Sequence, residues 1–268
     1  DARQVYRTMD LGTGKDLFEY NTSQGKIPYH LIDIVDPKDI YTLFHFQQDC
    51  YEAIKEIRRK RKLPIIVGGT GLYVESILKK YEIPSVPENK NFRKKMSCYS
   101  KDKLTHILKT SDAKLFSRTD CSSKKRIIRA LEIAEYAKNN QVEWGMENPP
   151  EISNPLVLCT SWDRETLYTR ILNRLLERLK QGMIQEVKNL MNSDLSVERF
   201  DLFGMEYKWI KKYLKGEISH ETMVNDLSKA IRHLAKRQET WFRGMSNRDI
   251  QIHRIDNASF EKALLLFS

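Results

Sequence analysis

The stretch Leu63-Pro64-Ile65-Ile66-Val67-Gly68-Gly69-Thr70-Gly71-Leu72-Tyr73 decides the fold class. A short continuous apolar run ends in a glycine-rich turn around Thr70 and restarts as a helical pattern from Leu72 to Lys80, which reads as buried strand, tight turn, helix. Just upstream, Leu43, Phe46, Cys50, Ala53, Ile54 and Ile57 recur at the spacing of one helix face between Thr42 and Arg61, with charges on the other face. Helix, buried strand, glycine turn and helix in that order predict an α/β protein with a parallel sheet.

Working outward, the character changes after about Val86. From there to Trp144 the chain is polar, lysine-rich and helical in pattern, with no convincing buried strand. Pro155 to Thr160 then supplies a second buried-strand candidate. The layout is therefore a first part of an α/β core (1–85), a helical insertion (86–145) and a second, mainly helical part of the core (146–268). In that last part Leu167, Ile171, Leu175, Leu179, Met183, Val187 and Leu190 form an apolar seam, and Met223, Leu227, Ile231, Leu234 and Trp241 mark the inner face of a helix from Ser219 to about Arg243.

A chain of 268 residues is ample for a buried core. The formal charge of +10 favours a polyanionic partner, nucleic acid or a phosphorylated metabolite, without choosing between them. Cys50, Cys98, Cys121 and Cys159 lie far apart with no CxxC pair, so they read as reduced thiols of a cytoplasmic protein rather than a zinc site or disulfide framework. No apolar run reaches the roughly 18–20 residues of a membrane span. The histidines show no metal spacing; His30 reads as structural, and His45 and the others as incidental. A monomer is the expected state.

At the start, Asp1-Ala2-Arg3-Gln4-Val5-Tyr6 sets a carboxylate beside an arginine, an amide and an aromatic ring. Alone this is an ordinary cap or surface charge. Gly12-Thr13-Gly14-Lys15 is not a GxxxxGK[ST] phosphate loop, because Met9 stands where glycine is needed and Asp16 where a hydroxyl is needed. It reads as a turn beside the aspartate.

Taken together, DARQVYRTMDLGTGK at 1–15, YHLIDIVDP at 29–37, PIIVGGTGLY at 64–73, RIIRALEI at 126–133 and AKRQETWFRG at 235–244 resemble, in order, blocks of the tRNA dimethylallyltransferase family. The resemblance implies a P-loop, nucleotide-kinase-like parallel-sheet core with a helical insertion domain. It implies transfer of a dimethylallyl group from dimethylallyl pyrophosphate to the exocyclic amine of an adenine in the tRNA anticodon loop. The family's phosphate-binding glycine loop would lie upstream of Asp1.

By the same resemblance Asp1 is the general base, and Arg170 and Arg174, in the RILNR block, face the pyrophosphate. Their alternative reading is a solvated basic stripe. Contacts with tRNA are implied for Ala2, Arg3, Gln4, Thr70, Lys125, Arg126, Arg129, Lys236, Arg237, Gln238 and Trp241, and for Arg93 after a one-residue shift. Basic residues recurring along a helix can follow a phosphate backbone, and Arg237, Gln238 and Trp241 can bond to or stack on an unpaired base; Trp241 reads equally well as core. Mg²⁺ is expected as the counterion of pyrophosphate, with no protein ligand apparent in the sequence. Phe203-Gly204-Met205-Glu206-Tyr207 departs from the family's glycine-tyrosine pairing, and no contact is assigned there. Two other classes stay open on residues alone: a nucleotide-kinase-like phosphotransferase, which would consume ATP, and a non-catalytic RNA-binding protein, which gives no reason for a strand followed by GGTG.

Overall fold

A computed structural model describes residues 1–267, and of Val197 the backbone alone. The chain divides into two compact units, Asp1–Lys79 with the residues from Pro150 onward, and Lys80–Pro149.

The first unit begins with a segment whose apolar residues Val5, Tyr6 and Met9 are buried. Its backbone is tied to the Tyr29–Pro37 block: Ile34 N–H and Val35 N–H both donate to Val5 O at 2.9 Å, and Arg7 N–H donates to Val35 O at 2.9 Å. A small antiparallel hairpin of β1 (Asn21–Thr22) and β2 (Gly25–Lys26) precedes α1 (Leu43–Arg59) and α2 (Gly71–Leu78). Helix α1 starts where Thr42 accepts from His45 N–H at 3.4 Å while His45 Nδ1 accepts from Thr42 N–H at 3.2 Å, a reciprocal cap. His45 is therefore structural, which corrects the reading of it as incidental.

The second unit is helical: α3 (Lys90–Ser97), α4 (Lys101–Ser111), α5 (Ala113–Arg118) and α6 (Lys124–Ala137). Side chains of Asn89, Ser100 and Asp112 accept from the backbone at the starts of α3, α4 and α5. Leu104 and Leu108 of α4 pack with Ile127, Ala130 and Leu131 of α6 in a core of its own.

The first unit resumes with β3 (Leu158–Ser161), then α7 (Arg164–Lys180), α8 (Met183–Met191), α9 (Phe200–Phe203), α10 (Met205–Leu214) and α11 (His220–Ser246). It ends with β4 (His253–Asp256) and α12 (Phe260–Leu264). The apolar seam from Leu167 to Leu190 is broken between α7 and α8 at Gly182, whose φ of 109° suits glycine. Met183, Val187, Phe203, Tyr207, Met223 and Leu227 join Val5 and Met9 in the main core. The parallel sheet is β3 beside β4, in the register Leu158↔His253 to Ser161↔Asp256.

Leu63–Val67 corrects the sequence reading, because it is neither a strand nor buried: Leu63, Ile65 and Val67 are 69%, 71% and 78% exposed. A strand exists only where a neighbour completes its ladder. Among the described residues β3 pairs with β4 and no segment pairs with Leu63–Val67. Its apolar side chains instead line a cavity wall.

Candidate active site

One cavity of about 2640 Å³ opens in the first unit, and Asp1, Thr70, Arg170 and Arg174 all line it. Asp1 is half-buried, and its Oδ1 accepts from Arg3 N–H at 2.8 Å and Gln4 N–H at 3.4 Å, a local turn that orients the carboxylate. Beneath it, Gln4 donates to Thr13 O at 3.3 Å and Gly14 O at 2.9 Å. Gln4 thus ties the Asp1 turn to the next one and does not line the cavity, whereas Ala2 and Arg3 do.

The Met9–Lys15 turn is occupied from within. Glu186 takes the N–H groups of Asp10, Leu11 and Gly12 at 2.8, 2.7 and 3.0 Å, and the Tyr207 hydroxyl at 2.8 Å. The buried Lys15 ammonium bonds to Tyr6 O, Asp10 and Asp33. Its donors serve the fold, in keeping with the failed phosphate-loop pattern.

Thr70 caps α2 by position, but its hydroxyl makes no cap hydrogen bond. The glycines around it permit a close approach of α11: a Cβ on Gly71 would run into the Trp241 ring, and one on Gly69 into Gln238 Nε2. Gln238 Nε2 donates to Gly69 O at 2.8 Å, and Trp241 Nε1 donates to Glu75 Oε2 at 2.9 Å. Glu75 is 1% exposed and also accepts Arg248 through both oxygens, at 2.6 and 2.7 Å. Gln238 and Trp241 therefore line the cavity while gripping the turn. Lys236 and Arg237 line the cavity as well and are exposed.

Arg170 and Arg174 lie one turn apart on α7. Neither forms an ion pair among the described residues; Arg170 stacks on Trp162 with its guanidinium carbon 4.2 Å from the ring centroid. Desolvation by the cavity wall, and then the like charge of Arg178, push the Arg174 guanidinium below its usual pKa.

Sequence reading missed Arg178, one further turn along the same face; it lines the cavity but is paired with Asp16 at 3.0 Å. It also missed Glu206, another cavity residue. Burial pushes the Glu206 carboxyl above the usual range, opposed by its own backbone N–H and by Arg178, Arg174 and Arg3. The spacing i, i+4, i+8 was a signal for Arg178; Glu206 lay in the segment left unassigned.

Four expected tRNA contacts lie in the second unit. Arg93 donates to both oxygens of Glu132 at 2.9 and 2.8 Å, and its Nη1 lies 3.2 Å from Glu88. Arg129 bonds to Glu132 and, at 2.7 Å, to Val86 O. Burial raises the Glu132 pKa, but Arg93, Asn89 N–H and Arg129 together outweigh it and the net shift is downward. Arg126 pairs with Asp120, and Lys125 is exposed with no ion-pair partner among the described residues.

No three His, Cys, Asp or Glu side chains gather as a metal cage among the described residues, nor is any helix among them long and apolar enough to cross a membrane.

Comparison with known proteins matches the family model for IPP transferase to residues 4–245. The chain is similar to tRNA dimethylallyltransferase 2 of Phocaeicola vulgatus, with 46% identity over 96% of this chain and 82% of the relative. It is similar to tRNA dimethylallyltransferase 1 of Geotalea daltonii, with 43% identity over 97% of this chain and 81% of the relative. Among solved structures, the tRNA isopentenylpyrophosphate transferase of Bacillus halodurans matches at a TM-score of 0.66 and 29% identity, covering 100% of this chain and 84% of that one. A eukaryotic dimethylallyltransferase acting on tRNA matches at a TM-score of 0.67 and 22% identity, covering 96% of this chain and 66% of that one, a likeness of fold. The fold class read from the sequence, a P-loop nucleotide-kinase-like α/β core with a helical part, stands on these likenesses.

Proposed function

The chain belongs to the IPP transferase family, and from that premise we propose that it is a tRNA-modifying prenyltransferase that moves a dimethylallyl group from dimethylallyl pyrophosphate to the N6 amine of an adenine in the anticodon loop, next to the anticodon. The observation that carries the reading is the sharing of one cavity by the Asp1 carboxylate, the Thr70 turn and two guanidiniums that have no acidic partner among the described residues.

An exocyclic adenine amine is a weak nucleophile because its lone pair is delocalised into the ring. As N6 bonds to the allylic carbon, Asp1 accepts the N6 proton. The carbon–oxygen bond breaks at the same centre, and its electron pair leaves with the diphosphate. Arg170 and Arg174 are suited to that growing charge, since neither is held in an ion pair among the described residues, although Asp16 and Glu206 act on Arg174 from nearby, and a guanidinium with free donors can take an outside anion. The adenine must leave its stack to enter, which costs a few kcal/mol and least for a loop base. Lys236, Arg237 and Arg3 supply positive charge at the cavity for the RNA backbone, and Lys125 supplies it on the second unit, where Arg126 is paired with Asp120.

Mg²⁺ as the diphosphate counterion agrees with the anionic substrate, but the residues present form no cage for it among those described. It would be held chiefly by the diphosphate and water, and no step above is routed through it.

The test is transfer of label from dimethylallyl pyrophosphate to unmodified tRNA by the full-length protein. The expected result is labelled N6-prenyladenosine, lost on Asp1→Ala, and no phosphoryl transfer from ATP to small acceptors. Transfer that survives Asp1→Ala rules out the assigned base; absence of transfer by the unaltered protein rules out the activity.

A further inference from the structure

Glu75 does not line the cavity, but its neighbour Val74 and its partner Trp241 do, and the proposed chemistry makes no use of it. It sits on α2 one turn beyond Gly71 and is 1% exposed. A carboxylate so placed is costly unless its oxygens are fully hydrogen-bonded. Here Oε1 takes Arg248 Nε at 2.6 Å, and Oε2 takes both Arg248 Nη2 at 2.7 Å and Trp241 Nε1 at 2.9 Å. The Arg248 guanidinium also lies over the Trp241 ring, 5.4 Å from its centroid.

These contacts lead directly to the turn. Trp241 occupies the volume that a side chain on Gly71 would need, and Gln238, three residues earlier on α11, holds Gly69 O at 2.8 Å. Thr70 stands between these two held glycines. Its hydroxyl is not spent on capping α2, so its direction is set by the backbone of the turn. The backbone is in turn set by where the indole rests, and the indole is fixed by Glu75.

We propose that Glu75 is a positioning residue for prenyl transfer: by fixing Trp241 against Gly71 it sets the Gly68–Gly71 turn and hence the direction of the Thr70 hydroxyl in the cavity shared with Asp1. This rests on the reading, implied by the family resemblance, that Thr70 contacts the tRNA. It also changes the part given to Trp241, which holds the turn rather than offering its N–H to RNA.

The test compares Glu75→Gln, Trp241→Phe, Thr70→Ala and the two pairings with Thr70→Ala in the full-length protein. Glutamine keeps the volume and an acceptor for the indole but loses the charge that holds Arg248. Arg248 has 42% of its side chain exposed and can turn to solvent, so the variant is expected to fold, which its melting temperature checks. Trp241→Phe keeps an aromatic ring but loses the indole N–H and the five-membered ring whose Cδ1 and Nε1 lie against Gly71. A misplacement of the order of 1 Å can cost about a hundredfold in rate, so each variant is expected to lower kcat at saturating tRNA by about tenfold or more, with KM for dimethylallyl pyrophosphate unchanged. In the Thr70→Ala background the same changes should add little.

A merely structural role would lower the melting temperature while leaving kcat of the folded enzyme intact, or would add fully to Thr70→Ala; either result overturns the proposal for Glu75 while leaving Thr70's role standing. If Thr70→Ala alone leaves kcat unchanged, the reading of Thr70 fails and the inference falls with it. The two failures are thereby distinct.

Discussion

Two groups of arginines, one in each unit, look alike in sequence and differ in what the fold has given them. Arg170 and Arg174 stand a turn apart on α7 without an acidic partner among the described residues, on the wall of the cavity that holds Asp1. Arg93 and Arg129 converge on one carboxylate, Glu132, which is 3% exposed. Like charges brought together must be neutralised. In the second unit the protein pairs them with its own anion; in the first, Asp16 and Glu206 act on Arg174 from nearby but neither Arg170 nor Arg174 is held in an ion pair among the described residues. The first group is therefore poised for a ligand, and the second is foremost a fastening between the start of α3 and α6.

The largest effect that sharpens this contrast is expected at α7. Arg174→Ala should reduce kcat/KM for dimethylallyl pyrophosphate by about 10²–10³-fold, as removal of one charge stabiliser commonly does, with the melting temperature little changed because no internal pair is broken. Steady-state kinetics over a range of prenyl donor concentrations checks it. Unaltered kcat/KM would reduce Arg170 and Arg174 to the solvated stripe that is their alternative reading.

Glu132 should behave in the opposite way, costing stability rather than chemistry. Removing one partner of a fully buried pair costs about 3–5 kcal/mol, but Arg93 and Arg129 keep 35% and 34% of their side chains in solvent, which brings the expected loss for Glu132→Ala down to roughly 1–2 kcal/mol. The Glu132 pKa is lowered in the folded state. Its contribution is thus complete above the ordinary carboxylate pKa of about 4.3 and disappears as the pH falls through the lower folded value. Thermal melts as a function of pH should show Glu132→Gln less stable than the unaltered protein at neutral pH and the two curves drawing together below about pH 4. Parallel curves would show that the carboxylate is not what holds the two arginines.

Sequence pattern foresaw the helices well because their information is local. Thr42 and Ser219 mark the starts of α1 and α11, and the apolar face of each follows in register. The Leu63–Val67 strand was misread for the complementary reason: apolar character is local, but a ladder needs a second segment that no pattern within the run specifies. Strand β4 was missed likewise, since His253–Asp256 carries little apolar signal and owes its form to β3. At the site, the residue types around Asp1, Thr70 and α7 were legible as candidates. What stayed hidden was partnership: Glu75 with Trp241, Glu132 with Arg93, and Glu186 with the Met9–Lys15 turn are separated by 166, 39 and about 175 residues. Spacing rules reach only a few residues along one element, so they could not say which arginines the fold had already neutralised.

The smallest effect expected is at Lys125, and it tests whether the second unit's surface has any part in the contrast beyond Glu132. Lys125 is exposed at the start of α6 with no ion-pair partner among the described residues, while its neighbour Arg126 is held by Asp120. An unpaired exposed lysine that meets a phosphate releases about one counterion on binding. Lys125→Ala should therefore weaken tRNA binding only a few-fold at moderate salt and reduce the slope of log affinity against log salt by about 1, with kcat at saturating tRNA unchanged. Asp120→Asn, which releases Arg126, should move the affinity in the opposite direction. If Lys125→Ala leaves both affinity and slope as they were, unpaired charge on the second unit is solvation alone, and the distinction between neutralised and open cations holds only for the cavity.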